Sequence, residues 1–138
     1  MSDKLSELED DVREMAEHFL ASAARAGLLL RVTHTRRTWP EQAALYAQGR
    51  SLPGPTVTAA PPGYSWHNFG RAFDVCQAHG EPYPEEDSFW DSVGQIGENC
   101  GLEWGGRWKH PDRPHFEHHG GLTLAQARGK HEAGTNLA

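Results

Sequence analysis

The chain has 138 residues, of which 37% are hydrophobic, and its formal net charge is −6 at pH 7. This length suits one domain with one packed core, and we expect a single domain over residues 1–138. The acidic balance without a Lys/Arg block argues against nucleic acid as a partner, and no stretch approaches the ~20 apolar residues of a membrane span.

The first half of the chain predicts two helices and two strands around a proline-rich loop. Residues 3–26 are predicted to form an amphipathic helix, because apolar side chains recur at three- and four-residue steps: Leu5, Leu8, Val12, Met15, Phe19, Leu20 and Ala23. Residues 28–35 are rich in apolar and β-branched side chains, which predicts a strand, and residues 38–49 predict a second helix capped by Thr38. Residues 51–64 contain four prolines and two glycines and predict a loop, and 71–76 predict a short strand.

The second half predicts a further helix and a last strand, separated by a turn region. Residues 79–87 predict a loop, 88–101 a helix, 102–113 a Gly- and Trp-rich turn region, and 114–119 a strand. A closing helix or turn follows at 122–129, and we expect the tail at about 130–138 to be frayed. Helices and strands mix without strict βαβ alternation, so we predict an α+β fold.

Cysteine and histidine differ in what they indicate. Cys76 and Cys100 are too few for a disulfide scaffold and lack CxxC spacing, which favours reduced thiols and leaves a single bridge open. Five of the nine histidines come late in the chain: His110, His115, His118, His119 and His131. Such clustering suggests a metal site, although a His-rich surface is the common alternative.

The stretch SWHNFGRAFD, residues 65–74, offers two candidate metal ligands, His67 and Asp74. Gly70 and the strand-like AFDV predict a loop that leads into a strand. In that strand Phe73 and Val75 face the side opposite Asp74. A lone carboxylate within an apolar strand needs a partner, because an unpaired buried charge is costly. That partner is either a metal ion or an arginine such as Arg71 or Arg37.

A third ligand is available in PDRPHFE, residues 111–117, where Pro114 keeps the chain extended before His115. Asp112 precedes His115 by three residues and is either a general base acting on a metal-activated solvent molecule or a turn-capping residue. His118 and His119 are rival ligands, but they lie at the predicted end of the strand, so we expect them at the surface or in contact with the ligands rather than with the metal.

Four segments together resemble one enzyme family. SWHNFGRAFD is similar to the SxHxxGxAxD motif of the VanY-like zinc D-alanyl-D-alanine carboxypeptidases and L-alanyl-D-glutamate endopeptidases, and DRPHFE to their second signature. TRRTWPEQAALYAQGR resembles a segment found upstream in the phage endolysin branch, and EWGGRW the Trp-Gly-Gly turn between the two metal motifs. The resemblance extends over about residues 30–128.

This resemblance implies a Hedgehog/DD-peptidase-like fold, a small antiparallel sheet packed with helices, that holds one Zn²⁺ per chain. It implies His67, Asp74 and His115 as zinc ligands and Asp112 as the catalytic base. Arg37 matches an arginine expected to bind a substrate carboxylate or the developing oxyanion, while the neighbouring Arg36 should point away. Ser65 and Gln42 match positions that line the pocket, and Glu117 either orients a ligand or is a plain strand residue.

Some family members use Glu as the base, so Asp112 agrees with the endolysin branch. The resemblance therefore implies a peptidoglycan hydrolase of the endolysin type that cleaves the L-Ala–D-Glu bond of the stem peptide. A D-Ala-D-Ala carboxypeptidase or dipeptidase with the same site is the alternative, and a non-catalytic zinc-binding or wall-binding module is a third. Four arginines are candidates to receive the acidic stem peptide: Arg37, Arg50, Arg71 and Arg107.

The expected setting follows from the same resemblance and from the ends of the chain. MSDKLSELEDDVREM lacks a basic region followed by an apolar run, so we expect no secretory signal. We expect a monomer that waits in the host cytoplasm and acts on the cell wall after another protein opens the membrane. We expect no separate cell-wall-binding domain.

Overall fold

The computed structural model describes residues 1–133. Its helices and strands, in chain order, are α1 (Asp10–Arg25), β1 (Leu30–His34), α2 (Trp39–Ala47), β2 (Ala72–Gln77), α3 (Asp87–Asn99), β3 (Glu103–Trp104), β4 (His115–Glu117) and α4 (Leu124–Glu132). One-turn 3-10 helices occur at Leu5–Glu7, Trp66–Phe69 and Gly105–Arg107. None of the helices within residues 1–133 is long and apolar enough to cross a membrane.

The strands form one antiparallel sheet in the order β1-β2-β4-β3. Asp74 on β2 lies directly opposite His115 on β4. On its other side Asp74 pairs with His34 of β1, where the register shifts by a β-bulge between Val32 and His34. The α+β fold with a small antiparallel sheet is thus confirmed, and the sheet brings three polar residues from distant parts of the chain together.

The core lies between one face of this sheet and the helices α1 and α3. Phe19 of α1 contacts Phe116 of β4 with ring centroids 4.7 Å apart, and Phe73 of β2 lies 5.9 Å from Phe116. All three rings are fully buried, which stabilises the fold by about 1.5–3 kcal/mol each. Because side chains alternate along a strand, the residues beside Phe73 and Phe116 face the other side of the sheet.

The long N-terminal helix begins later than predicted. Residues 5–7 form a separate 3-10 turn, and α1 starts only at Asp10. The preceding segment keeps 3-10 hydrogen bonds such as Leu8 N–H to Leu5 O at 3.0 Å, and it also bonds to other parts of the chain: Thr35 N–H donates to Ser2 O at 2.7 Å and Glu9 N–H to Gly70 O at 2.9 Å. These tertiary hydrogen bonds replace the intrahelical ones that the apolar spacing predicted.

The predicted strands and the other helices agree with the structure to within a few residues, and β3 lies inside the predicted turn region. The closing segment is a helix, α4, with Thr123 in a capping box, so residues 130–132 of the expected frayed tail are helical. The part of that tail beyond residue 133 lies outside the described residues. Cys76 and Cys100 are free thiols, as expected.

Candidate metal centre

His67, Asp74 and His115 meet at the edge of the core, although the first and the last are 48 positions apart in the sequence. His67 Nε2 lies 3.5 Å from Asp74 Oδ1, and His115 Nδ1 lies 3.2 Å from the same oxygen. Each of the three side chains presents one ligand atom, and these atoms all lie within 4.8 Å of one another. Both imidazoles are buried and the carboxylate is half-buried.

Local structure brings His67 to this point. It lies in the 3-10 turn Trp66–Phe69, whose first backbone N–H groups are capped by Ser65: its Oγ accepts from His67 N–H at 3.3 Å. Gly70 ends the turn with φ of 68°, a left-handed conformation that favours glycine, and the chain then enters β2. A Cβ at Gly70 would lie 2.4 Å from Arg36 Nη2, so space as well as conformation requires glycine here.

The donor set fits a divalent metal better than a salt bridge. The sequence left an arginine open as the partner of Asp74, but Arg71 donates to Asp11 Oδ2 at 2.7 Å and Arg37 to Gln42 Oε1 at 2.9 Å. Two imidazole nitrogens and one carboxylate oxygen are the ligands that a catalytic zinc site uses, with a fourth position left for solvent. These residues therefore fit the metal that the sequence resemblance implies.

Each imidazole is oriented by a hydrogen bond on the side away from Asp74. His67 Nδ1 lies 2.7 Å from the carbonyl oxygen of the buried Thr35, and His115 Nε2 lies 2.6 Å from Glu117 Oε1. Glu117 Oε2 in turn accepts from His119 Nε2. Such contacts fix which ring nitrogen faces a metal and are typical of histidine ligands.

The charged groups of this cluster change one another's pKa. Burial alone would raise the pKa of Asp74, but hydrogen bonds from His115, His34 and His67 hold it well below its ordinary value. Burial alone would lower the pKa of His115, but Asp74 and Glu117 raise it to about 10. The same hydrogen bond with His115 lowers the pKa of Glu117 against the effect of burial. The two ionised carboxylates therefore favour a positive charge between them, which is a proton on His115 when no metal is bound.

The cluster opens into a cavity of about 590 Å³ whose walls include Asp112, Arg37 and Ser65. Asp112 is half-exposed, and its Oδ2 lies 4.0 Å from His115 Nδ1. Partial burial raises the pKa of Asp112; the charge of Asp74 adds to this effect, while those of His115 and Arg37 oppose it. A carboxylate so placed, beside the cluster and open to solvent, can exchange protons with a group bound in the cavity.

Gln42 does not line this cavity, which corrects one expectation. Its side chain is fully buried: Oε1 accepts from Arg37 Nη1 at 2.9 Å, and Nε2 donates to Ala60 O at 2.7 Å. Arg37 itself is fixed further by its backbone N–H, which donates to His67 O at 2.9 Å. Arg36 points away, as expected, and its Nε donates to Glu7 O at 2.9 Å.

The other candidate arginines lie elsewhere. Arg71 pairs with Asp11, Arg107 pairs with Glu98 at 2.9 Å, and Arg50 stacks on Tyr46 at 3.9 Å from the ring centroid. Of the four arginines proposed to receive an acidic substrate, Arg37 is the one that lines the cavity.

Sequence reasoning left Glu117 open and missed His34 and Thr35. A signal for Glu117 was available, because residues two apart in a strand share a face and His115 is two residues away. His34 and Thr35 carried no local signal, since their contacts depend on how β1 pairs with β2. A second group of possible ligands, Glu103, Glu117 and His119, lies nearby. Both oxygens of Glu117 already accept hydrogen bonds from His115 and His119. Glu117 therefore orients the ligand His115 and is not free to bind a second metal.

Comparison with known proteins gives a consistent result. The sequence pattern of the peptidase M15 family described as D-alanyl-D-alanine carboxypeptidase matches residues 58–118. The chain is 35% identical over 123 residues to the peptidoglycan L-alanyl-D-glutamate endopeptidase CwlK of Bacillus subtilis (strain 168), covering 81% of this chain and 74% of that protein.

Several solved structures share the fold, among them an endopeptidase and a D,D-pentapeptidase. The L-Ala D-Glu endopeptidase ChiX of Serratia marcescens superimposes with a TM-score of 0.60 at 21% identity, covering 88% of this chain and 84% of the other. A variant of the vancomycin resistance D,D-pentapeptidase VanY in complex with Zn(II) superimposes with a TM-score of 0.62 at 13% identity, covering 94% and 81%. At these identities the likeness concerns the fold.

Proposed function

The chain belongs to the peptidase M15 family, and from this premise we propose that it is a zinc-dependent peptidoglycan hydrolase that cleaves the L-Ala–D-Glu bond of the stem peptide. The observation that carries the proposal is the cluster of His67, Asp74 and His115, which opens into a cavity beside an aspartate of raised pKa. The choice of bond rests on the similarity to CwlK, an L-alanyl-D-glutamate endopeptidase.

In this proposal His67 Nε2, Asp74 Oδ1 and His115 Nδ1 hold one Zn²⁺ per chain. A bound Zn²⁺ supplies a Lewis acid for the scissile carbonyl and makes a solvent nucleophile available at neutral pH. Thr35 and Glu117 keep the two imidazoles in the orientation that this ligation requires, because each accepts from the ring nitrogen that faces away from Asp74.

Asp112 is the proposed general base and acid. Its carboxylate takes a proton from the attacking solvent molecule and delivers it to the leaving amine of D-glutamate. The pKa of Asp112 is raised toward neutral pH, compared with that of an ordinary aspartate, which suits a group that must both accept and donate a proton. Because its side chain is half-exposed, it can reach the substrate without moving any buried residue.

Arg37 is proposed to bind a substrate carboxylate or the developing oxyanion. Its guanidinium lines the cavity, and Gln42 fixes it from the buried side. Asn68 fixes the backbone, since its Nδ2 donates to Arg37 O at 3.1 Å. Such preorganisation lets the positive charge act without a reorganisation cost. Ser65 contributes a hydroxyl to the same wall and holds the turn that carries His67.

The alternative is a D-Ala-D-Ala carboxypeptidase that uses the same residues, which the description of the matching family favours. Digestion of a defined peptidoglycan followed by mass analysis separates the two. A new amino-terminal D-glutamate supports the endopeptidase, and free D-alanine supports the carboxypeptidase.

A second experiment separates catalysis from a non-catalytic zinc-binding or wall-binding module. Asp112→Ala should keep zinc but lose at least about 100-fold in cleavage rate, whereas His67→Ala should lose both. Asp91→Ala, at an exposed aspartate of α3, is the matched control and should behave as the wild type. Retained cleavage by Asp112→Ala would remove this residue from the mechanism.

We also propose that the enzyme acts as a phage endolysin, a monomer that reaches the wall after the membrane is opened. The support is the similarity of TRRTWPEQAALYAQGR to the endolysin branch. Expression in a bacterial host should leave the cells intact until a membrane-permeabilising agent is added, and turbidity should then fall. Lysis without the agent would contradict this role.

A further inference from the structure

A third histidine contacts the oxygen of Asp74 that the candidate ligands leave free. His34 Nδ1 lies 3.3 Å from Asp74 Oδ2, whereas His67 and His115 both lie beside Oδ1, at 3.5 Å and 3.2 Å. The two oxygens of the Asp74 carboxylate therefore contact different histidines. Oδ1 faces the two buried imidazoles, and Oδ2 faces the imidazole of β1.

The backbone explains how His34 reaches this position. His34 is the last residue of β1 and the direct cross-strand partner of Asp74, and the β-bulge lies just before it. Bulges re-aim side chains and are frequent beside active sites. Without the extra residue at Thr33, the alternation along β1 would turn this imidazole to the opposite face of the sheet. The bulge thus places His34 on the face that carries the cluster.

The surroundings of His34 leave it free to act as a donor. Its side chain is 40% exposed and lines the cavity, so it is not held in place as part of the core. Thr33 Oγ1 lies 3.2 Å from the same Nδ1, and a hydroxyl can either donate or accept. Asp74 Oδ2, by contrast, can only accept when the carboxyl is ionised. An Nδ1–H on His34 therefore satisfies the carboxylate.

We propose that His34 is a positioning residue: its Nδ1–H donates to Asp74 Oδ2 and keeps Oδ1 turned toward the metal. The torsion that rotates an aspartate carboxylate is broad, so without this contact the plane of the carboxylate could turn away from the two imidazoles. The two oxygens are chemically equivalent, so the contact fixes the angle of this plane rather than the identity of the oxygen that faces the metal. With it, the ligand geometry is set before the metal arrives. This inference rests on the proposed function, because it assigns His34 a role toward the same zinc site.

The test compares three substitutions that differ in where they place a donor. His34→Ala removes it, His34→Asn places an amide nitrogen near the position of Nδ1, and His34→Gln places it one bond further, near Nε2. The zinc dissociation constant of each intact protein is measured by competition with a chromogenic chelator. We expect His34→Ala to bind zinc about 10–100-fold more weakly, as for other residues that orient a metal ligand.

We expect His34→Asn to recover most of the affinity and His34→Gln to recover little. The absorption spectrum of the Co²⁺-substituted protein should change in His34→Ala and return toward that of the wild type in His34→Asn. His79→Ala, which removes an exposed histidine outside the cavity, should match the wild type in both measurements. Because the His34 side chain lies outside the core, thermal unfolding without metal should remain cooperative in all variants, which shows that each is folded.

Two results would overturn the inference: zinc affinity in His34→Ala within twofold of the wild type, or equal rescue by Asn and Gln. Both leave the proposed function intact, because the wild type still binds zinc. A wild type that binds no zinc would overturn the proposed function and this inference with it. The binding measurements do not depend on cleavage, so the two failures are distinguishable.

Discussion

Glu117→Gln tests the hydrogen-bond chain behind His115. The carboxylate is buried, with 4% of the residue exposed, and it accepts two imidazole N–H groups: Oε1 from His115 at 2.6 Å and Oε2 from His119. A carboxamide has the same shape but one acceptor oxygen and one NH₂ donor. It can therefore accept from one histidine and must present hydrogens to the other.

The consequence for His115 depends on which way the amide turns. If the NH₂ group faces His115, Nε2 must become an acceptor, and the proton of the neutral ring moves to Nδ1, the nitrogen that faces Asp74. That tautomer cannot bind a metal through Nδ1. If the oxygen faces His115, the ring keeps its orientation, but it loses a charge-assisted hydrogen bond, which is roughly twice as strong as a neutral one.

Loss of such a ligand-orienting contact costs about 10–100-fold in metal affinity, which corresponds to about 1.4–2.7 kcal/mol. We expect this loss in the zinc dissociation constant of Glu117→Gln, measured by chelator competition, and a parallel fall in cleavage at limiting zinc. The matched control is Glu14→Gln, which makes the same change at an exposed glutamate of α1 outside the cavity. If both variants bind zinc as the wild type does, the orienting role of Glu117 is refuted.

Three further predictions concern the metal and the fold. Removal of zinc by a chelator should abolish cleavage and lower the melting temperature, and added zinc should restore both, since a ligand that binds the folded state stabilises it; no shift in melting temperature would argue against a bound metal. Burial raises the pKa of Asp11, but Arg71 outweighs this and lowers it below 3.8. The pair should therefore stabilise the fold above about pH 4 and lose this effect as pH falls through the lower folded-state value, so the deficit of Asp11→Asn in thermal melts should shrink toward pH 2; a constant deficit would contradict this. In Gly97→Ala the new Cβ would lie 2.4 Å from Cε1 of the buried Phe116. Overpacking of about 1–3 kcal/mol should exceed the helix gain of about 1 kcal/mol, and equal or higher stability in urea unfolding would show that the core yields there.

Much of the site could be predicted from the sequence because its signals are local. The alternation of FDV places Asp74 on the face opposite Phe73 and Val75, and the structure has both apolar neighbours fully buried. The glycine that ends the turn after His67 is required by a left-handed backbone conformation, another property of a single residue. The spacing within DRPH likewise places Asp112 beside His115 in one turn, and the two side chains are 4.0 Å apart.

The partners of these residues were decided by tertiary structure. His34 and Thr35 contact the cluster only because β1 pairs with β2 in a register that includes a bulge, and that register depends on contacts between segments some 40 residues apart. Arg71 was a candidate partner for Asp74, yet it bonds to Asp11 at the start of α1, 60 positions away.

The sequence by itself therefore determined the fold class and the face of β2 that carries Asp74, because local spacing and side-chain chemistry suffice for these. The candidate ligand residues came from the resemblance of two motifs to a known family, since spacing alone left an arginine open as the partner of Asp74. Only the tertiary structure decided which groups orient the ligands, that Gln42 lies buried behind Arg37, and that the first helix starts at Asp10. The physical reason is the same in each case. A hydrogen bond between distant segments forms only when the packed core brings the donor and the acceptor to about 3 Å from each other. No short stretch of sequence specifies that distance.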